Sequence, residues 1–311
     1  MTKYRNNSPK TGEAPAKKYQ PTLLGKWMFL LLLFTLPLFG CGEVEQETNK
    51  STLERIKSTG VVRVGYANEA PYAYLESASG RLTGEAPLIL REVMQRMGVN
   101  QVEAVLTEFG SLIPGLKAGR FDVIAAGMYI TPSRCREIAF SEPTYGIGEA
   151  FMVRAGNPQR LHSYEDIANN PDARLGVVAG TVERGYARTI GISDEQVSIL
   201  PDNPSAVAAL QAGRIDAFAG TALTVQDLLK KMQSGKLERA NPFADPVIEG
   251  KVLRGHGAFG FRKTDSALRD QFNAHLTDLI GSAEHRSLVE PFGFTEAELP
   301  GGIKTQQLCN L

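Results

Sequence analysis

The sequence predicts an α/β fold, two similar α/β lobes joined by a two-strand hinge, and three observations carry that prediction. Strand-like and helix-like segments run strand–helix–strand–helix–strand over residues 61–127, and the same order returns over 173–221. A joint recurs inside that frame, with Leu116-Lys117-Ala118-Gly119-Arg120-Phe121-Asp122 echoed by Leu210-Gln211-Ala212-Gly213-Arg214-Ile215-Asp216. Two apolar, glycine-bearing extended stretches, 145–158 and 255–263, stand where the chain would pass between the halves.

Taken in order, a short helix over 53–60 stops at Gly60, and the β-branched run 61–66 follows as a strand. Leu88, Leu90, Val93, Met94 and Met97 fall near helical spacing, which predicts an amphipathic helix over 86–98 with Gly98 as its stop. Residues 102–109 form a second strand, 111–119 a short helix and 121–127 a third strand. In the second half, 173–180 is a strand running into a helix over 181–191, 197–200 a strand, 203–213 a helix and 215–221 a strand. Gly119 and Gly213 each supply the left-handed residue that lets the chain leave a helix for a strand. The resulting map is a leader over 1–41, a polar tether over 42–51 and a first lobe over 52–150. A crossing over 151–158, a second lobe over 159–250, a return crossing over 251–262 and a closing part of the first lobe over 263–311 complete it. Ligands of open α/β sheets bind at the C-terminal ends of the strands, which here means a cleft between the lobes.

Hydrophobic residues make up 42% and charged residues 22%, the balance of a globular protein, and the formal net charge is zero. Six of the basic residues and one acid lie in residues 1–41, leaving 28 basic and 33 acidic residues beyond. No basic stripe survives, so nucleic acid is not an expected partner. The leader is a basic segment, an apolar run from Trp27 to Phe39, and Cys41. That run is too short for a comfortable membrane span and fits a signal peptide. Leu38-Phe39-Gly40-Cys41 resembles a lipobox, with Cys41 as the lipidated residue; an ordinary cleaved signal or an uncleaved anchor are the alternatives, and all three export the chain. Of the other cysteines, Cys135 and Cys309 could pair outside the cell, but a buried free Cys135 is the expected state.

No Ser/His/Asp arrangement, no cysteine or histidine pair at metal spacing and no phosphate-cradling glycine loop is present, so no catalytic residue, metal or cofactor is expected. His162, His256, His275 and His285 are assigned to surface or hinge positions. Binding has more to work with. Thr131 and Pro132 read as the cap and first residue of a helix, whose free N–H groups form an anion site, and Arg134 adds a planar guanidinium suited to a carboxylate. A salt bridge from Arg134 to Glu137 or Glu142 is the structural alternative. Gly180 and Thr181 open the 181–191 helix and could meet the same anion, or Thr181 could serve only as a cap. Tyr72, Phe109 and Tyr129 sit at strand exits or adjoining loops; singly they suit a core, together they suit a cation–π box, with Glu69 beside them as an acceptor.

The segments VVRVGYANEAPYAY, SLIPGLKAGRFDVIAAGMYITPSRCREIAFSEPTY and GRIDAFAGT make the chain from about 51 to 300 resemble the solute-binding proteins of bacterial polar amino-acid ABC transporters. ANEAPYAY, TGEAP, AAGMYITPSRC and VVAGTVERGYA are most similar to the ectoine/hydroxyectoine-binding members. The resemblance implies a periplasmic-binding-protein-like fold of type II, and gives Arg134 the ligand carboxylate. It also implies that the strand ending at Thr221 would end in Asp in amino-acid-binding members, where the Asp takes the α-ammonium. Thr221 therefore points to a carboxylate ligand without a free α-amino group, such as ectoine, and Thr221 would be left to bond another polar atom, for instance the hydroxyl of hydroxyectoine. The expected partners are that small zwitterion and the ABC permease subunits, with the binding protein a monomer. The alternatives are a receptor for a polar amino acid or other compatible solute, and an exported cyclic-acid dehydratase using Glu69 or Glu183 as an acid.

Overall fold

The computed structural model describes residues 50–233 and 235–310; the leader, Cys41 and tether residues 42–49 lie outside them. Two sheets organise the described chain. In the first, the strands run in the order Gln101–Leu106, Val61–Tyr66, Val123–Tyr129, Gly255–Phe261 and Ala139–Phe140, with Tyr145–Ile147 also paired to Gly255–Phe261. In the second, the order is Val197–Leu200, Leu175–Val178, Ala217–Thr221, Glu149–Arg154 and Leu237–Arg239. The first three strands of each sheet are parallel, as the alternating pattern predicts. The strands reached by the crossings, Gly255–Phe261 and Glu149–Arg154, are antiparallel to their neighbours, which the pattern alone did not reveal.

The recurring joint does the same work in both lobes, and its aspartate is as important as its glycine. Gly119 and Gly213 both turn at positive φ, 71° and 69°. The Asp122 carboxylate then accepts the Arg63 N–H at 2.9 Å, and Asp216 accepts the Arg174 N–H at 3.0 Å. Each aspartate thereby pins the start of the adjacent parallel strand. Burial pushes the Asp122 carboxyl up, but hydrogen bonds from Arg63 and Arg55 outweigh it and hold the group below its ordinary range.

The strand Glu149–Arg154 is covered on both faces: Phe151 and Val153 enter one apolar cluster, Ala150 and Met152 the other. This corrects the expected crossing at 151–158. The ladder places the first passage at Gly148, between Tyr145–Ile147 of the first sheet and Glu149–Arg154 of the second. The return lies between Arg239 and Gly255, since Gly255–Phe261 is already a first-sheet strand, so the expected return over 251–262 is also corrected. An apolar run buried on both faces has the composition of a connecting strand, and composition cannot separate them.

Cys135 is not a buried free thiol: it is half-buried and disulfide-bonded to Cys309, 174 residues away in sequence. The bond ties the helix Pro132–Glu137, which contributes no buried residue, to the C-terminal helix Thr305–Cys309. Leu308 buries in the first lobe, and the Thr305 hydroxyl donates to Ser141 O at 2.6 Å. His285 is likewise not at the surface; it is buried, its Nδ1 accepts the Gly281 N–H, and desolvation lowers its pKa to about 4. No helix among the described residues is long and apolar enough to cross a membrane.

Two stability predictions follow from this packing. Cys309→Ser removes a cross-link that closes a long loop, and thermal unfolding should register a loss of roughly 2–4 kcal/mol; an unchanged melting temperature would contradict it. Glu85 is 1% exposed, with Oε1 accepting from Thr144 at 2.6 Å and Oε2 without a donor, and burial pushes its carboxyl up to about 8. The folded state therefore keeps this proton while the unfolded chain, near 4.5, has lost it. Its contribution to stability is full below about pH 4.5 and is lost as pH rises to about 8. Glu85→Gln should match wild type in acid and melt several degrees higher near pH 8; parallel melting curves across that window would refute this.

Candidate functional site

A cavity of about 310 Å³, counting its mouth, opens between the lobes at the strand ends. Glu69, Tyr72, Phe109, Gly127, Tyr129 and Arg134 line it from the first lobe, and Thr181, Val182, Glu183 and Thr221 from the second. Seven of the nine residues expected from sequence are thus brought together. The other two, Thr131 and Gly180, do not line it but hold Arg134. Thr131 caps the Pro132–Glu137 helix, its hydroxyl accepting the Arg134 N–H at 3.2 Å. The Arg134 guanidinium donates to Tyr129 O at 2.8 Å and across the cleft to Gly180 O at 2.9 Å. Neither Glu137 nor Glu142 takes the charge: Glu137 pairs with Lys117, and Glu142 accepts the Thr305 N–H. Among the described residues no carboxylate comes within ion-pair distance of Arg134.

The aromatic groups do two jobs at once. Arg134 lies 5.5 Å above the Phe109 ring, a cation–π contact that supports the guanidinium from below. Tyr72 stacks on Tyr145, centroids 5.2 Å apart, and meets Phe294 edge-on, so it belongs to the core as well as to the cavity wall. Two glycines make room for these rings. Gly127 turns at φ 64°, and a Cβ there would meet the Tyr72 ring at 2.6 Å. A Cβ on Gly255 would fall inside the Tyr129 ring. The glycines of GMY and GHG carried no such signal in sequence, because the rings they admit are brought by distant segments.

Thr221 is not free to meet a ligand hydroxyl, which corrects that expectation. Its hydroxyl accepts from Tyr72 Oη at 2.7 Å and from the Thr224 N–H at 3.2 Å, and donates to Thr224 Oγ1 at 3.0 Å. That fills its hydrogen-bonding capacity. Thr224 in turn donates to Glu69 Oε1 at 3.1 Å, so one chain of bonds runs from the first lobe through the second and back. Thr181 is not the cap of the following helix either. The helix is Glu183–Ile190 with Val182 at the cap position, and the Thr181 hydroxyl donates to Val178 O at 2.8 Å.

Two carboxyls, Glu69 and Glu183, line the cavity with this guanidinium, and a third, Glu149, is an electrostatic neighbour of Glu183. Burial, then the charge of Glu183, raises the Glu69 carboxyl to about 7, against hydrogen bonds from Thr224 and Asn203. Glu149, missed by the sequence reading, stands directly opposite Thr221 in the antiparallel ladder, and burial followed by Glu183 raises it well above its ordinary range. Glu183 is raised by burial although Thr181, its own N–H and Arg134 oppose the shift. Arg134 is itself lowered by burial, with Glu183 the largest opposing influence. Among the described residues no group of side chains has the makings of a metal site.

Comparison with known proteins agrees with this architecture. Residues 62–295 match the model of the bacterial extracellular solute-binding proteins, family 3. A probable amino-acid ABC transporter periplasmic-binding protein of Sinorhizobium fredii is 39% identical, over 83% of this chain and 86% of the relative. The L-arginine-binding protein of Pseudomonas aeruginosa is 27% identical, over 74% of this chain and 87% of its own length. The crystal structure of EhuB in complex with hydroxyectoine superposes with a TM-score of 0.75 and 38% identity, covering 83% of this chain and 97% of that one. The chain belongs to the bacterial extracellular solute-binding proteins, family 3, and is a binding protein of amino-acid-type ABC transport that works outside the cytoplasm.

Proposed function

We propose that this protein captures ectoine or hydroxyectoine, as a monomer, and delivers it to the permease subunits of an ABC importer. The observation that carries the reading is the composition of the cavity: one arginine with no carboxylate in ion-pair reach among the described residues, set over the Phe109 ring, with Tyr72, Tyr129 and the Glu69 carboxyl lining the same space. The Arg134 guanidinium and the amide groups near Thr181 receive the ligand carboxylate. The aromatic faces and Glu69 receive the cyclic amidinium, whose charge is spread over a ring and so is cheap to desolvate. Likeness to the hydroxyectoine-bound EhuB structure supports this ligand over others. Contacts made only in the closed form give the ligand a differential affinity for it, which is what shifts the population toward closure.

A polar amino acid is the second reading, and one observation favours it. Glu149 faces Thr221 across the ladder, so the absence of an acid at 221 does not leave the neighbourhood without a carboxyl for an ammonium. A dehydratase has less support, because the family is one of binding proteins.

Thermal shift with ectoine, hydroxyectoine, glycine betaine, arginine and glutamine separates these readings. A concentration-dependent rise with ectoine or hydroxyectoine alone is expected, and a rise with arginine or glutamine alone would replace the proposal with the second reading. Arg134→Ala should weaken ectoine binding at least about a hundred-fold by calorimetry, since the ligand carboxylate would be desolvated without a partner; near-normal affinity would overturn the carboxylate assignment. Thr221→Val breaks the chain from Tyr72 to Glu69, removing hydrogen bonds worth about 1 kcal/mol each. Affinity should fall about ten-fold through a smaller closed population, and scattering should report a more open free protein; a wild-type scattering curve with wild-type affinity would show that the chain does not bias closure.

A further inference from the structure

Four of the residues lining the cavity carry hydroxyls: Tyr72, Tyr129, Thr181 and Thr221. Three of these hydroxyls are committed within the protein. Tyr72 donates to Thr221 at 2.7 Å, Thr221 also bonds the Thr224 N–H and hydroxyl, and Thr181 donates to Val178 O at 2.8 Å. The Tyr129 hydroxyl has no partner, although the residue is only 4% exposed. Its ring has no room to turn away and find one. A Cβ on Gly255 would fall inside it, and Tyr145 meets it edge-on with centroids 6.3 Å apart. One polar atom on the opposite lobe is left over in the same way: Glu183 Oε2, also on a residue 4% exposed and lining the cavity. Tyr129 and Gly180 supply the two carbonyls that hold the Arg134 guanidinium, and Glu183 opens the helix that begins three residues after Gly180. Buried polar groups without partners are uncommon. A donor from one lobe and an acceptor from the other are together the complement of a single hydroxyl group.

We infer that Tyr129 and Glu183 form a subsite for a hydroxyl group of the ligand, the Tyr129 O–H donating to it and Glu183 Oε2 accepting from it, and that this subsite makes the receptor select the hydroxylated ligand. The inference rests on the receptor reading above and deepens it. In hydroxyectoine the carbon bearing the hydroxyl is bonded to the carbon bearing the carboxylate. Anchoring the carboxylate on Arg134 therefore brings the hydroxyl to the same end of the cavity, where Tyr129 and Glu183 stand. This gives the hydroxyl the partner that Thr221, already saturated, does not offer. With ectoine, closure leaves both groups unpaired or makes them trap a water. A site built to bond a hydroxyl rejects the analogue that lacks it, because its own buried polar groups then lose their partner.

Calorimetry on the intact protein with ectoine and hydroxyectoine reads the ratio of the two dissociation constants. Wild type should bind hydroxyectoine about ten-fold or more tightly than ectoine. Equal affinities overturn the subsite and leave the receptor reading standing. Tyr129→Phe keeps the ring and removes only the hydroxyl, and Glu183→Leu removes the acceptor; each should lower the ratio about five-fold or more. A wild-type ratio in either variant overturns the assignment. Tyr72→Phe removes a hydroxyl already committed to Thr221, so it should weaken both ligands alike. A ratio that falls in Tyr72→Phe instead places the sensing group there and overturns the role of Tyr129. If only arginine or glutamine binds, the ectoine reading falls, and that amino acid and its hydroxylated form replace the pair. A preference for the hydroxylated form that Tyr129→Phe abolishes then upholds the subsite, and no preference removes it as well. Melting curves confirm that the variants are folded.

Discussion

Arg134 donates to one carbonyl on each side of the cleft, Tyr129 O and Gly180 O, and the rest of the site is arranged around keeping that guanidinium in place. Its own helix offers little help, because Pro132–Glu137 is six residues long and buries none of them. Such a segment cannot hold itself through packing. It is held from outside, by the Thr131 cap, the Lys117–Glu137 pair, the Phe109 ring beneath the guanidinium, and the bond from Cys135 to Cys309. The disulfide is one residue from Arg134, and its far end is anchored by Thr305 and Leu308 on the first lobe. On the proposed binding role of Arg134, a pre-oriented guanidinium loses less rotamer freedom when an anion arrives, so the bracing that stabilises the segment also favours affinity.

The same economy governs the contact between lobes. Glu69 and Tyr72 of the first lobe meet Thr224 and Thr221 of the second through directed hydrogen bonds. Leu223 enters the first-lobe apolar cluster, and Val182 and Ala222 pack beside it. Gly180 lies so close to Gly110 that a Cβ on it would come within 2.5 Å of the Gly110 backbone. Contacts that protein makes with protein across the cleft stabilise closure without any ligand. They reduce the differential affinity a ligand has to supply, and they make the closed form selective for whatever fills the remaining space.

Local signals were the legible part. The alternation of strands and helices, the Gly119 and Gly213 turns, and the Thr131-Pro132 cap are each encoded in a few neighbouring residues, and each stands in the structure. Seven of the expected site residues meet because parallel α/β sheets bring strand ends to one edge. What escaped depends on pairing between distant segments. The Cys135–Cys309 bond spans 174 residues, the passage at Gly148 is visible only from which sheet each flanking strand joins, and the saturation of Thr221 requires knowing that Tyr72 reaches it. His285 escaped for a related reason: a short amphipathic helix presents the same sequence whichever turn is covered.

Glu149 is the most instructive omission. Read along one strand, Thr221 looks like a deleted acid, and the deletion reads as a statement about the ligand. Read across the ladder, the neighbour of Thr221 is Glu149, on the same face of the same sheet. Electrostatic fields follow distance through space, and an adjacent strand is nearer than the next turn of the chain. A carboxyl presented from the partner strand differs in its burial and in its neighbour, here Glu183. What Thr221 alters is therefore which strand presents the acid: Glu149, buried and directly opposite Thr221, is the carboxyl across the ladder. On the proposed reading, a diffuse cation with directed N–H groups is buried beside such a carboxyl at lower desolvation cost than a compact ammonium.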